Sequence, residues 1–210
     1  MILCFGDSLT AGFQSPTPEH PSGQETPYGH FLQEWIQGAA EILVSGICGE
    51  LTSEMAIRFH RDVVFQQPSY VVLLGGTNDL GCNVHPDEIM MNLNKMYEMA
   101  RQSRIQPIPV TVPSLRVDIT GGGPDVEAWF GQHLSRRAEL NGLIQEYALS
   151  SSLPWIDLFG ATVDSATGQL AEPYSNDGLH LSTAGYRLFA RMLYDQVFAE
   201  AFPFTKGNQP

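Results

Sequence analysis

Basic residues are scarce in this 210-residue chain: 11 Lys and Arg stand against 23 Asp and Glu, a formal net charge of −12. An acidic surface repels phosphate backbones and anionic headgroups, which argues against nucleic acid or anionic lipid as general partners. Charge of either sign is modest at 16%, and with 43% hydrophobic residues this is the composition of a globular protein rather than a disordered one. No apolar run approaches the roughly 20 residues that a bilayer-spanning helix needs, so stable membrane insertion is not expected. Cysteine is rare and odd in number (Cys4, Cys48, Cys82), so at least one thiol is unpaired and a disulfide framework is not expected. Internal repeats, low-complexity tracts and linkers are missing as well. A single domain over residues 1–210 is expected, with a core over about 1–200 and a short tail. The first strand pattern already starts at residue 2, which leaves no room for a leader and points to a cytoplasmic location.

What is present is an alternation. Apolar runs at about residues 2–5, 41–45, 70–74, 107–112 and 154–157 have the length of buried strands. Helical patterns lie between them, at about 27–37 and 52–65. In the segment after Pro86, Ile89, Leu93, Met96 and Ala100 recur at helical spacing, with Asp87 and Glu88 in the first turn, where carboxylates suit the helix dipole. Leu140, Ile144 and Tyr147 mark another helix, and Phe189, Leu193 and Val197 mark the last, with Ser182 as its N-cap. Alternating strand and helix implies an α/β fold, a parallel sheet covered on both faces in three α/β/α layers. Sites in such folds gather beyond the carboxyl ends of the strands.

Ser8 follows the first strand directly, and Asp177 and His180 lie three apart just before the last helix. A serine hydroxyl is a weak nucleophile until a histidine accepts its proton, and a carboxylate must hold that histidine in the right tautomer. Taken singly, each residue has a plainer role: Ser8 could be a helix N-cap, and Asp177 and His180 a surface turn or two metal ligands. A metal site needs a third or fourth ligand, and His20, His30, His60, His85 and His133 show no ligand spacing. Neither a metal nor an organic cofactor is expected.

Four blocks in order resemble those of the SGNH hydrolases, also called GDSL esterases and lipases. They are Phe5-Gly6-Asp7-Ser8-Leu9-Thr10, the glycine block Val44-Ser45-Gly46-Ile47-Cys48-Gly49-Glu50-Leu51-Thr52, Gly75-Gly76-Thr77-Asn78-Asp79, and Asp177-Gly178-Leu179-His180. Val44 and Leu51 stand where the family often has asparagine and threonine. The resemblance covers residues 4–185 and implies a flavodoxin-like order for a five-stranded parallel sheet. It implies Ser8 as nucleophile, His180 as general base, Asp177 as its orienting carboxylate, and an oxyanion hole of the Ser8 and Gly49 amides with the Asn78 side chain. Asp7 is expected to shape the turn as a hydrogen-bond acceptor. The implied reaction is hydrolysis of a small-molecule carboxylic ester, in an esterase, lysophospholipase or thioesterase. The same residues would serve an acyltransferase or a carbohydrate O-deacetylase, whereas a non-catalytic binding module would be expected to lack one of them.

Two segments fall outside the alternation. Residues 14–26 are rich in Pro, Ser and Gly, and residues 114–132 carry Gly121-Gly122-Gly123-Pro124, Trp129 and Phe130. Both are expected to be loops that wall the substrate pocket, the second with the option of a lid.

Overall fold

The computed structural model describes residues 1–118 and 123–203. In chain order the elements are β1 (Ile2–Gly6), α1 (Ser8–Ala11), a short hairpin of β2 (Phe13–Gln14) and β3 (Gln24–Glu25), α2 (Tyr28–Ile36), β4 (Ile42–Gly46), α3 (Thr52–Phe59), β5 (Tyr70–Leu74), α4 (Thr77–Gly81), α5 (Pro86–Gln102), β6 (Gln106–Pro109), α6 (Gly123–Ser150), α7 (Leu158–Thr162) and α8 (Thr183–Leu193). The main sheet runs β4-β1-β5-β6, all parallel. Strand periodicity divides its side chains cleanly between two cores. Ile2, Cys4, Val72 and Leu74 face a core shared with Tyr28 and Leu32 of α2 and Phe189 and Leu193 of α8. Leu3, Phe5, Val71 and Leu73 face the other, with Met55 and Phe59 of α3, Leu93 and Met96 of α5, and Leu140 and Ile144 of α6. The three-layer α/β/α expectation is met.

The fifth strand is not. Residues 154–157 contribute a single parallel bridge, Val110 to Ile156, so the main sheet has four strands rather than five. The cause lies in β6. Thr111 donates its N–H to the Ile156 carbonyl and Pro109 accepts from the Ile156 N–H, so odd-numbered residues there face outward from the sheet. Two of those, Pro107 and Pro109, have no N–H to give. Pairing beyond Ile156 is therefore starved of donors. Val112, placed by its sequence at the end of the same run, instead bonds both its N–H and its carbonyl to the Asn141 side chain of α6.

The expected loop over 114–132 is also corrected, because residues 123–132 are helical. Pro124 lies in the first turn of α6, a position where proline starts a helix rather than breaking one. The buried stripe of α6 runs Phe130, His133, Arg137, Leu140, Ile144, Ala148. Its first half is polar, so apolar periodicity becomes visible only from Leu140. Residues 119–122, the middle of the 114–132 segment, lie outside the described residues. Ser182 caps α8 as expected, accepting from the Gly185 N–H.

Candidate active site

Parallel register sets Gly6, Gly46 and Leu74 side by side at the carboxyl end of the sheet. The chain segments carrying Ser8, Gly49 and Asn78 leave from this one level. Asp7, not Ser8, is the N-cap of α1: its Oδ1 accepts from the Leu9 N–H at 2.9 Å. Ser8, itself buried, thus keeps its hydroxyl free, and the Oγ stands 3.2 Å from His180 Nε2.

The His180 Nδ1 lies 2.7 Å from Asp177 Oδ2. Asp177 Oδ1 accepts the backbone N–H groups of Leu179 and His180, and Ser15 Oγ donates to Oδ2. Burial pushes the Asp177 carboxyl up, but these hydrogen bonds, led by His180 and Ser15, outweigh it and hold the group well below the usual carboxylate range. An ionised Asp177 favours the proton on Nδ1, which leaves Nε2 to accept from Ser8. Such a relay can draw the proton off the serine oxygen. Gly178 makes the turn possible: its φ is +82°, and a Cβ there would meet the Arg116 carbonyl oxygen at 2.1 Å. Arg116, a residue with no role assigned from sequence, donates to the Ser175 carbonyl and so braces this turn.

Residues 14–26 brace the acid end, and Gln14, His20 and Gln24 also border a cavity of about 330 Å³ with Asn176 and Thr183. Gln14 accepts from the Thr183 N–H and donates to the hydroxyls of Thr183 and Thr26, and the Phe13 ring packs edge-on to His180 at 4.7 Å. Gln14 and Ser15 gave no sequence signal beyond their nearness to Ser8.

On the side of the expected oxyanion hole, Gly49 has φ +79° and open space where a Cβ would stand, so its backbone conformation rather than close approach demands glycine. Asn78 Nδ2 donates to the Glu50 carbonyl at 3.0 Å, which joins the two segments and leaves the second amide proton available. Thr52, one position after Leu51, donates both its N–H and its hydroxyl to Asp79, which is buried. Sequence reasoning missed Arg58 altogether. Its buried guanidinium pairs with Glu50, reaches Ser45 Oγ and Asp62, donates to the Gly6 carbonyl and lies 4.1 Å over the Phe5 ring. One side chain thus ties the Gly49–Glu50 turn to the strand end that carries Ser8. In sequence Arg58 is only a cation three residues after Met55, on the flank of the buried face of α3, which reads as a solvated position.

A cavity of about 340 Å³ opens beside these donors, bordered by Gly49, Asn78, Cys82, Leu115, Trp129, His133, Arg137 and Leu179. Leu115 and Trp129 bear out the pocket-wall expectation for their segment, although Trp129 stands on α6. Cys48 and Cys82 are exposed and Cys4 is buried, all three as free thiols. His85, Asp87 and Glu139 bring ligand atoms within 4.8 Å of one another, but all three are exposed. Among the described residues no helix is long and apolar enough to cross a membrane.

Next to Ser8 in the chain, Asp7 is fully buried and its Oδ2 has no hydrogen-bond partner among the described residues. Burial, against the Leu9 hydrogen bond and the charge of His180, pushes its carboxyl up to about 7. A carboxyl raised above its unfolded value of about 3.9 binds its proton more tightly in the folded state, so its contribution is full below pH 4 and fades as pH rises through 7. Asp177, shifted the opposite way, changes stability only below about pH 4 and is silent in this window. Asp7→Asn should therefore flatten the decline in thermal midpoint between pH 5 and 8. Parallel melting profiles for the two proteins would refute the assignment.

Comparison with known proteins places the chain and its fold. A family model described as the GDSL-like Lipase/Acylhydrolase family matches residues 4–188. The lipase/acylhydrolase from Enterococcus faecalis superposes with a TM-score of 0.71 at 25% identity, covering 99% of this chain and 98% of its own. A carbohydrate acetylesterase from Sinorhizobium meliloti shares the fold, with a TM-score of 0.74 at 21% identity over 95% of this chain and 98% of its own. The Bacillus subtilis protein named as uncharacterized lipoprotein YqeF is 31% identical over 116 residues, 52% of this chain and 47% of that protein. The chain thus spans about half the length of this curated relative.

Proposed function

We propose a site and a mechanism for this chain, which belongs to the GDSL-like lipase/acylhydrolase family and is a carboxylic ester hydrolase: Ser8 is its nucleophile. The carrying observation is the unbroken run from Ser8 Oγ through His180 to Asp177, at 3.2 and 2.7 Å. His180 Nε2 takes the hydroxyl proton as Oγ attacks the acyl carbonyl, and Asp177 stabilises the imidazolium that results. Negative charge moves to the carbonyl oxygen, where the amides of Ser8 and Gly49 and the free proton of Asn78 Nδ2 receive it. Removing one such donor commonly costs roughly 3–4 kcal/mol of barrier. The imidazolium then protonates the departing alcohol, and a water activated by the same nitrogen releases the acid and restores Ser8.

The leaving alcohol must depart on the His180 side, since His180 protonates it. The cavity touches Gly49 and Asn78 but not His180, so it receives the acyl group. Its 340 Å³ lies at the small end of ligand sites, and Leu115, Trp129 and Leu179 give it apolar walls. A short acyl chain on a small soluble ester fits this space and the acidic surface better than a long lipid chain. Initial rates on chromogenic esters from acetyl to palmitoyl, with Ser8→Ala as the blank, should be highest at the short end. A maximum at palmitoyl would overturn the substrate reading while leaving the nucleophile in place.

A further inference from the structure

The floor of the acyl cavity holds two polar side chains that the mechanism above does not use. His133 and Arg137 lie one turn apart on α6, both buried, at 4% and 1% exposure, and both border the cavity. Among the described residues, Arg137 has no carboxylate as a hydrogen-bond partner. Its Nη1 donates to the Pro113 carbonyl and reaches Thr77 Oγ1 at 3.5 Å, while Nη2 stands 3.2 Å from His133 Nε2.

That last contact has only one chemically sensible form. A guanidinium carries N–H groups on every nitrogen and accepts nothing. His133 Nε2 must therefore be the acceptor, its lone pair turned to Arg137 and its proton absent. A neutral imidazole has one proton, so it resides on Nδ1. Burial and the charges of Arg137 and Arg136 push His133 down to about 4, which keeps the ring neutral throughout the physiological range. The Trp129 ring packs 5.5 Å from the imidazole and Leu115 stands nearby on the cavity wall. No described residue accepts a hydrogen bond from Nδ1.

His133 borders the cavity, and an N–H donor turned into an otherwise apolar wall would discriminate among ligands. An alkyl chain that fills the cavity strips water from the N–H and returns nothing, whereas a chain with an oxygen at the right place restores the lost bond. Building on the acyl-side assignment of the cavity, we propose that His133, held by Arg137 as the Nδ1–H tautomer, donates a hydrogen bond to the substrate and selects acyl groups that carry an acceptor oxygen. His133 is a substrate-binding residue in this scheme, and Arg137 a positioning residue that acts through it. The natural substrate class is then an ester of a short oxygenated acid (an alkoxy, hydroxy or oxo acid) rather than of a plain fatty acid.

Two measurements test this. The first is spectroscopic and independent of any activity. Ring nitrogen resonances of His133 in 15N-labelled protein, assigned by their loss in His133→Gln, should show Nδ1 protonated and Nε2 bare. Arg137→Met should release that preference. A proton on Nε2 in the unaltered protein overturns the proposal. The second compares 4-nitrophenyl methoxyacetate with 4-nitrophenyl butanoate, in which one ether oxygen replaces one methylene. Intrinsic reactivity cancels when the ratio of kcat/KM for the two esters is compared between proteins. That ratio should fall about five- to tenfold in His133→Phe, the span of one neutral hydrogen bond. It should return to within about twofold of the original in His133→Gln, whose amide can accept from Arg137 and donate to the ligand. An unchanged ratio in His133→Phe overturns the proposal. Ser8→Ala retaining turnover of both esters would instead defeat the nucleophile assignment, and the double ratio would still decide the role of His133.

Discussion

Replacing Ser8 by alanine should lower kcat on a short-chain ester by roughly 10⁴–10⁶-fold while leaving the fold intact. The chemical loss should be large, because Ser8 Oγ is the hydroxyl that His180 Nε2 reaches, at 3.2 Å, and the proposed acyl-enzyme forms on it. The structural loss is small, because the helix that begins at Ser8 takes its cap from the Asp7 carboxylate and not from the serine hydroxyl. Circular dichroism and the urea midpoint should therefore match the unaltered protein. Removing His180 as well should add almost nothing, since residues that act as one unit lose their effect together. Activity retained in pure, folded Ser8→Ala would remove the serine from the reaction.

Arg58→Met should destabilise the protein by about 3–5 kcal/mol, the usual cost of leaving one partner of a buried ion pair alone. Glu50, at 7% side-chain exposure, would keep a charge with its main counter-ion gone. A second substitution separates stability from positioning. In Arg58→Met with Glu50→Leu, the urea midpoint should recover much of the loss, because an apolar pair of similar volume often replaces a buried ion pair without penalty. Turnover should not recover, because the tether from the guanidinium to the Gly6 carbonyl is still missing and the Gly49 amide is no longer fixed relative to Ser8. Full recovery of both quantities would show that Arg58 serves stability alone.

These two cases mark what could and could not be seen in the sequence. Ser8, Asp177 and His180 were legible because their chemistry requires those residue types at strand and helix ends, and the parallel alternation brought them to one edge. Arg58 was not, since a cation among apolar residues looks like a solvated face until its partners at positions 6, 45 and 50 are folded against it. The front half of α6 was hidden for a related reason: its buried positions, His133 and Arg137, are polar, and apolar periodicity is the signal by which a helix is found. The fifth strand had the opposite fault. Residues 154–157 have the hydrophobicity of a strand, but strand pairing also needs donors on the neighbour, and hydrophobicity does not count N–H groups.

The proline pair of β6 reaches further than the strand it curtails. Exposed sheet edges are templates on which other chains extend a ladder, and proteins blunt them to stay separate. On this side of the sheet an incoming strand meets Pro107 and Pro109, which have no N–H to offer, and Thr111, whose N–H already belongs to Ile156. Self-association by strand addition is thereby blocked at one edge and left to β4, the edge strand on the far side. Crowded, partly unfolded copies of this protein should aggregate with a polarity, through the β4 edge and not through β6.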